Sequence, residues 1–314
     1  MEPYLTIMFF LFIMSLCIGS FLNVVILRAF SGESIVLPPS KCPKCHEKLK
    51  WYDNIPVLSF IILRGKCRYC KEPISPQYPL VEMTTAILFM IVMHKYGINP
   101  QSILLLIITA LSIVISVTDI KEKVVFDPHV FTLIGAGLVY NIINHNIITS
   151  LIGLAVGAVI MELLARLGYL FVQKRAFGEG DTLIAAGIGA ILGPKLFLLA
   201  LALSLFIQAI SVLPPFMKKL WNTNQKTLAL SITAFIIVSA VYKILSKTAS
   251  VSSIVDLIFI ASIFVLGIYS CVKLLKSCKQ DTNFLYFPFG PSLLAANFIV
   301  LIYGKELIKL LTSL

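Results

Sequence analysis

The chain has 314 residues, of which 58% are hydrophobic and 13% charged, with a mean hydropathy of +0.94 and a formal net charge of +11. So much apolar surface exceeds what a water-soluble fold can bury, which excludes a soluble globular enzyme and implies a polytopic, all-α membrane bundle. The positive balance does not require nucleic acid as a partner, because the basic residues fall in loops between apolar runs, where membrane topology accounts for them.

Runs of about 20 apolar residues are long enough to cross roughly 30 Å of hydrocarbon as helices. About ten segments are expected, near 5–27, 79–96, 101–118, 128–144, 147–172, 182–192, 196–213, 228–246, 252–274 and 290–310. The first has Glu2 where a signal peptide carries basic residues, and it lacks a small-residue cleavage site, so it reads as a retained helix in contact with membrane lipid. The sixth is short, and Gly193-Pro194 forces a break before the seventh. Of the 26 Lys and Arg residues, 20 fall in alternate loops on one face and 6 on the other. That bias places the first set in the cytoplasm and the N-terminus outside.

The loop 28–78 is the one sizeable polar piece. It holds Cys42-Pro43-Lys44-Cys45 and Cys67-Arg68-Tyr69-Cys70, separated by 21 residues. Two such knuckles offer four thiolates to a tetrahedral zinc ion. Two disulfides or one redox-active pair are the alternatives. A cytoplasmic loop is kept reduced, and a single redox pair leaves two cysteines unexplained, so structural zinc is favoured. The loop is too poor in apolar residues to build a core, and the metal would supply its folding free energy, ~10 kcal/mol in small zinc modules.

Two carboxylates stand at ends of apolar runs. Asp119 closes the run from Gln101 to Thr118 and precedes Lys121 and Lys123; Asp181 ends Gly178-Glu179-Gly180-Asp181 and opens another run. The flanking glycines leave the backbone free to take positive φ or to approach a second chain closely. On the charge-derived topology both aspartates lie at the cytoplasmic face, so they can meet. A pair of neighbouring carboxyl groups offers the general acid and general base of peptide hydrolysis, because the two cannot both ionise cheaply. Taken singly, Asp181 reads more readily as a helix cap and Asp119 as an interface marker than either does as a catalytic group.

Several blocks resemble a known family. Ser20-Phe21-Leu22-Asn23-Val24-Val25-Ile26-Leu27-Arg28, Asn54-Ile55-Pro56-Val57-Leu58-Ser59-Phe60, Leu63-Arg64-Gly65-Lys66-Cys67-Arg68-Tyr69-Cys70 and Ile74-Ser75-Pro76-Gln77-Tyr78-Pro79-Leu80-Val81-Glu82 closely resemble the N-terminal half of type 4 prepilin peptidases, which are bacterial GxGD-type aspartyl peptidases. The resemblance runs from residue 15 to about 213 and resumes at Pro288-Phe289-Gly290-Pro291, which looks like the start of the family's last helix. It implies that Asp119 and Asp181 are the catalytic aspartates. The implied activity is removal of the basic leader from prepilin-like proteins at the cytoplasmic surface of the inner membrane. It further implies N-methylation of the new N-terminus with S-adenosylmethionine, since the tetracysteine loop belongs to the longer, typically bifunctional form. Gly178 and Gly180 belong to the G-x-G-D element, and Asp127 keeps its family place as a partner for Asp119. Glu82 is open between a substrate or methyl-transfer role and helix capping, and Asn23 and Arg28 between anionic lipid and substrate.

The chain departs from the family pattern at three places. Val125-Phe126-Asp127, followed by Pro128, replaces the usual Ile-Pro-Asp, and Leu183 stands where Lys is usual, with Lys174 and Arg175 nearby. Residues 214–287 carry two extra spans before the last helix. The expected organisation is a first transmembrane helix (1–27), a zinc loop (28–78), a catalytic membrane core (79–213), an insertion (214–287) and a last helix (288–314). Two rival classes remain: a catalytically inactive zinc-binding membrane scaffold, which Phe126 and Leu183 favour, and a proton-coupled transporter, which the absence of an internal repeat disfavours.

Overall fold

A computed structural model describes residues 2–172, 177–222, 226–248, 261–270, 272–273 and 288–312. The chain forms helices α1 (Glu2–Ser31), α2 (Leu58–Ile62), α3 (Gln77–Tyr96), α4 (Pro100–Glu122), α5 (Asp127–Ile143), α6 (Ile147–Val172), α7 (Glu179–Asn222), α8 (Lys226–Thr248), α9 (Ala261–Ser270) and α10 (Gly290–Thr312). Among the described residues there is no strand; the only β-type pairings are isolated bridges in the polar loop. Among the described residues, four helices are long and apolar enough to cross a membrane: Leu5–Ser31, Pro100–Glu122, Ile147–Leu167 and Glu179–Trp221. Their outward faces carry large exposed apolar side chains such as Phe9, Phe10, Ile103, Leu163 and Phe206, as a lipid solvent allows. Much of the expected ninth segment, 252–274, lies outside the described residues.

Two compact units make up the chain. The first comprises Met1–Glu162, Phe177–Leu205 and Pro288–Leu314, and α4 is its centre, packed against α1, α3, α5 and α10. Local chemistry fixes both ends of α4. Asn99 is its N-cap, accepting the Ser102 N–H at 2.8 Å, and Pro100 follows where no intrahelical N–H is needed. At the other end Lys123 turns left-handed (φ 57°) and donates its N–H to the Asp119 carbonyl. Leu22 and Ile26 of α1, Val81 of α3 and Ile113 and Val114 of α4 form a core near that end. Val92, Leu105 and Ile302 form another toward the opposite end.

The sixth and seventh expected segments lie in α7, interrupted at Gly193 (φ 74°, ψ 172°), a backbone conformation that glycine adopts freely. Pro194 has no N–H to give the Ala190 carbonyl. Side chains answer instead: Asn141 Nδ2 donates to Ala190 O at 2.8 Å and to Ile191 O at 3.0 Å, and Ser150 Oγ donates to Ala190 O at 2.5 Å. Alongside, α6 meets α7 backbone to backbone, since a Cβ on Gly153 would stand 2.1 Å from the Gly189 carbonyl oxygen. This contact fixes the axis of the helix that carries Asp181.

The second unit comprises Leu163–Ala176 and Phe206–Phe287. Phe216 and Leu220 of α7 pack with Leu228 and Ala229 of α8, and Ser270 of α9 bonds Ser231 of α8 at 3.1 Å. The described part of 214–287 falls within this unit.

Candidate active site and metal centre

Asp119 occupies the last turn of α4 and Asp181 the first turn of α7, and both are buried, at 4% and 8% exposure. The structure brings them together at the start of α10: the backbone N–H of Gly290 faces both carboxylates, and Asp119 lies within the field of Asp181. Asp181 Oδ2 accepts the Gly178 N–H at 3.1 Å, which holds the G-x-G-D turn against its own carboxylate. Asp119 Oδ2 is buried and has no hydrogen-bond donor among the described residues.

The glycines have steric roles different from those anticipated. Neither Gly178 nor Gly180 has positive φ. The close approach at Gly180 is to Val125 of the same chain, whose Cβ would stand 2.7 Å from an added methyl group. Gly290, which the sequence marked only as the start of a helix, is the tightest glycine at this junction: a Cβ there would lie 2.6 Å from Asp119 Oδ2. Phe289 and Phe177 brace this junction, their ring centroids 4.9 Å apart. The legible signal was a small residue set between Phe289 and Pro291, at a helix start that only tertiary contact turns toward α4.

The departure at Val125-Phe126-Asp127 leaves the helix start intact. Phe126 is the N-cap of α5, Asp127 sits exposed in its first turn, where its charge complements the helix dipole, and Pro128 occupies a position that needs no N–H. Leu183 follows Asp181 within α7, and Lys174 and Arg175 lie outside the described residues. Glu82 is not at the start of its own helix but in the second turn of α3, 6% exposed, with Oε2 accepting the Val57 N–H at 2.7 Å. Arg28, at the end of α1, donates to the carbonyls of Ser34 and Pro38 and thereby closes the beginning of the polar loop.

That loop folds as two equivalent knuckles. In the first, the Cys42 N–H donates to the Glu47 carbonyl and the His46 N–H to the Cys42 carbonyl; in the second, Cys67 bonds Glu72 and Lys71 bonds Cys67 in the same pattern. His46 (φ 58°) and Lys71 (φ 61°) make the left-handed turn after each CxxC. Asp53 joins the halves by accepting from Arg68 Nε at 2.7 Å, and Arg68 in turn lies over the Tyr52 ring. The sulfur atoms of Cys42, Cys45, Cys67 and Cys70 all lie within 4.8 Å of one another, with Cys42 and Cys70 at 3.9 Å. A tetrahedral ion with ~2.3 Å metal–sulfur bonds needs sulfurs ~3.8 Å apart, so the cluster is drawn close to such a geometry and small side-chain shifts complete it. Burial opposes ionisation of Cys42, but the backbone N–H groups of Cys45 and Lys44 and the neighbouring thiols bring its thiol down to about 7. The Glu47 backbone lowers Cys45, yet desolvation and the Cys42 and Cys70 sulfurs outweigh it and push that thiol up to about 11. Four thiols this crowded resist joint ionisation unless a cation is among them.

Comparison with known proteins follows the same two regions. Residues 13–96 match the bacterial peptidase A24 N-terminal domain, and residues 106–213 match the type IV leader peptidase family. The chain is 37% identical over 187 residues to the prepilin leader peptidase/N-methyltransferase of Myxococcus xanthus, an alignment that covers 58% of this chain and 55% of that protein. It is 36% identical over 205 residues to the Klebsiella pneumoniae protein of the same name, covering 61% of this chain and 89% of that one. Against the type 4 prepilin-like proteins leader peptide-processing enzyme of Escherichia coli the identity is 34%, over 57% of this chain and 74% of the relative. No solved structure matches. With both family regions present in order, and with most of the Klebsiella relative's length aligned, the chain is a membrane protein of the type IV leader peptidase family.

Proposed function

We propose that this protein removes the basic leader from prepilin-like proteins and then methylates the new N-terminus. One observation carries the hydrolytic half: Asp119 and Asp181, distant in sequence, are buried together at the N-terminus of α10, with a carboxylate oxygen of Asp119 left without a donor among the described residues. A water molecule taken by that oxygen is activated as one carboxyl accepts its proton, and the other carboxyl gives a proton to the scissile carbonyl oxygen. The Gly290 N–H faces both groups and favours their ionised forms. Positions at helix ends keep these carboxylates near the membrane surface, where water and the polar part of a substrate reach them. The tetracysteine centre holds zinc as a structural ion, and S-adenosylmethionine is the methyl donor, the latter resting on the names of the relatives. The chain lies in the bacterial inner membrane with its N-terminus outside, and the zinc loop and aspartates face the cytoplasm, as the Lys and Arg distribution implies.

The test is a reconstitution. Purified chain in lipid vesicles is incubated with a prepilin and methyl-labelled S-adenosylmethionine. The reading expects shortening of the prepilin by its leader and appearance of label in the shortened product. An unshortened prepilin refutes the peptidase, and a shortened but unlabelled one refutes the methyl transfer alone.

A further inference from the structure

A second buried polar group of residues lies in the first unit, between α1 and α3. The two helices touch at Gly19, where a Cβ would stand 2.7 Å from the Glu82 Cα. One turn further along α1, Asn23 is 1% exposed and donates Nδ2 to the carbonyls of Tyr78, at 3.1 Å, and Gly19, at 3.4 Å. Those contacts fix the amide, and they leave its Oδ1 buried with no donor among the described residues. One turn back along the crossing is the Glu82 carboxylate, which takes the Val57 N–H and is faced by the Ser20 hydroxyl. No basic side chain pairs with it among the described residues.

A buried carboxylate without a cation, one helical turn along the same crossing from a buried amide oxygen without a donor among the described residues, is an arrangement of acceptors that lacks its positive, hydrogen-bearing counterpart. Hydrophobic ligands and anions do not answer it. A primary ammonium does, because it carries one charge for Glu82 and three N–H donors to share among the carboxylate and the Asn23 oxygen. The group lies at the same end of the unit as Asp119, since Leu22 and Val81, its immediate neighbours in sequence, pack together with Ile26 on Ile113 and Val114 of α4. Above it the polar loop supplies Val57, whose φ of 60° and ψ of −47° are strained for a β-branched residue, so this contact is held by the site rather than by local preference.

We propose that Asn23 and Glu82 form a subsite for an α-ammonium group. The proposal deepens the methyl-transfer half of the function above, and that chemistry offers two sources for the group: the new N-terminus of the processed substrate, or the amino-acid end of the methyl donor.

Binding to the full-length protein in detergent micelles distinguishes them. The probes are a synthetic apolar peptide with a free N-terminal amine, its N-acetylated twin, and S-adenosylhomocysteine. The variant Glu82→Gln keeps an acceptor for Val57 while removing the charge, and Asn23→Ala serves as a second variant if the first misfolds, with metal content and thermal unfolding reporting the fold. If the substrate N-terminus is the source, the free-amine peptide binds the wild type at least about tenfold more tightly than its acetylated twin, and either variant abolishes that preference. If the donor is the source, S-adenosylhomocysteine loses about tenfold or more in affinity in the variants. The proposal is overturned if the two peptides bind alike and S-adenosylhomocysteine binds wild type and variants alike. Leader removal and label transfer by the wild type are measured separately, so a failure of the functional reading is distinguishable from a failure of this subsite.

Discussion

Individual atoms set the fit at the junction of α4, α7 and α10, where the chemistry is proposed. Gly290 is the sharpest case, because any side chain there would displace the Asp119 carboxylate. Gly290→Ala is therefore expected to lower leader removal by at least about tenfold, with membrane insertion and metal content unchanged, as measured by the rate of prepilin shortening in vesicles. Away from the chemistry, Asn141 is the residue whose amide answers carbonyls released by Pro194. Asn141→Leu leaves those acceptors short of donors and is expected to destabilise the protein by ~1–3 kcal/mol, read as an earlier thermal unfolding transition. These two residues were not legible in the sequence as functional or supporting. Their roles depend on contacts with elements far along the chain, whereas Asp119 and Asp181 were marked locally by acidic residues at the ends of apolar runs.

Among the elements, the two cysteine knuckles were the most legible, since the spacing of CxxC pairs is itself the geometry of the ligand set. The same held for the break in α7, which Gly193-Pro194 dictates through local backbone chemistry. Helix α2 and the short 3-10 turn at Trp51–Asn54 carried no comparable signal, because the loop around them is organised by the knuckles and by the Asp53–Arg68 bond rather than by a periodic apolar pattern. Metal binding requires thiolates, and Cys42 sits at about 7. Cys45, at about 11, holds its proton well above neutrality, so protons already compete with the metal at neutral pH and, once Cys42 takes its proton too, more steeply below it. The apparent zinc affinity is expected to weaken by about tenfold or more per pH unit on acidification, measurable by competition with a chromophoric chelator; an affinity independent of pH would contradict thiolate ligation.

For the whole molecule, hydropathy announced a helical membrane protein because a lipid solvent imposes one long-range rule on every span. The pairing of α1 with α3 and the central position of α4 were not readable, since the outward and inward faces of these helices are both apolar. Orientation is a prediction at this scale. A cysteine placed at exposed Glu33 should react with a membrane-impermeant thiol reagent only from the cytoplasmic side, and one placed at exposed Ile98 only from the opposite side. All of this serves one claim, that the two buried aspartates act as a single unit. The most direct measurement is the rate of leader removal by Asp119→Asn, Asp181→Asn and the double variant, each confirmed to insert and to bind metal. The account predicts that each single variant loses at least about 100-fold and that the double variant loses no more than either alone. Substantial cleavage by either single variant, or losses that multiply in the double variant, would contradict it.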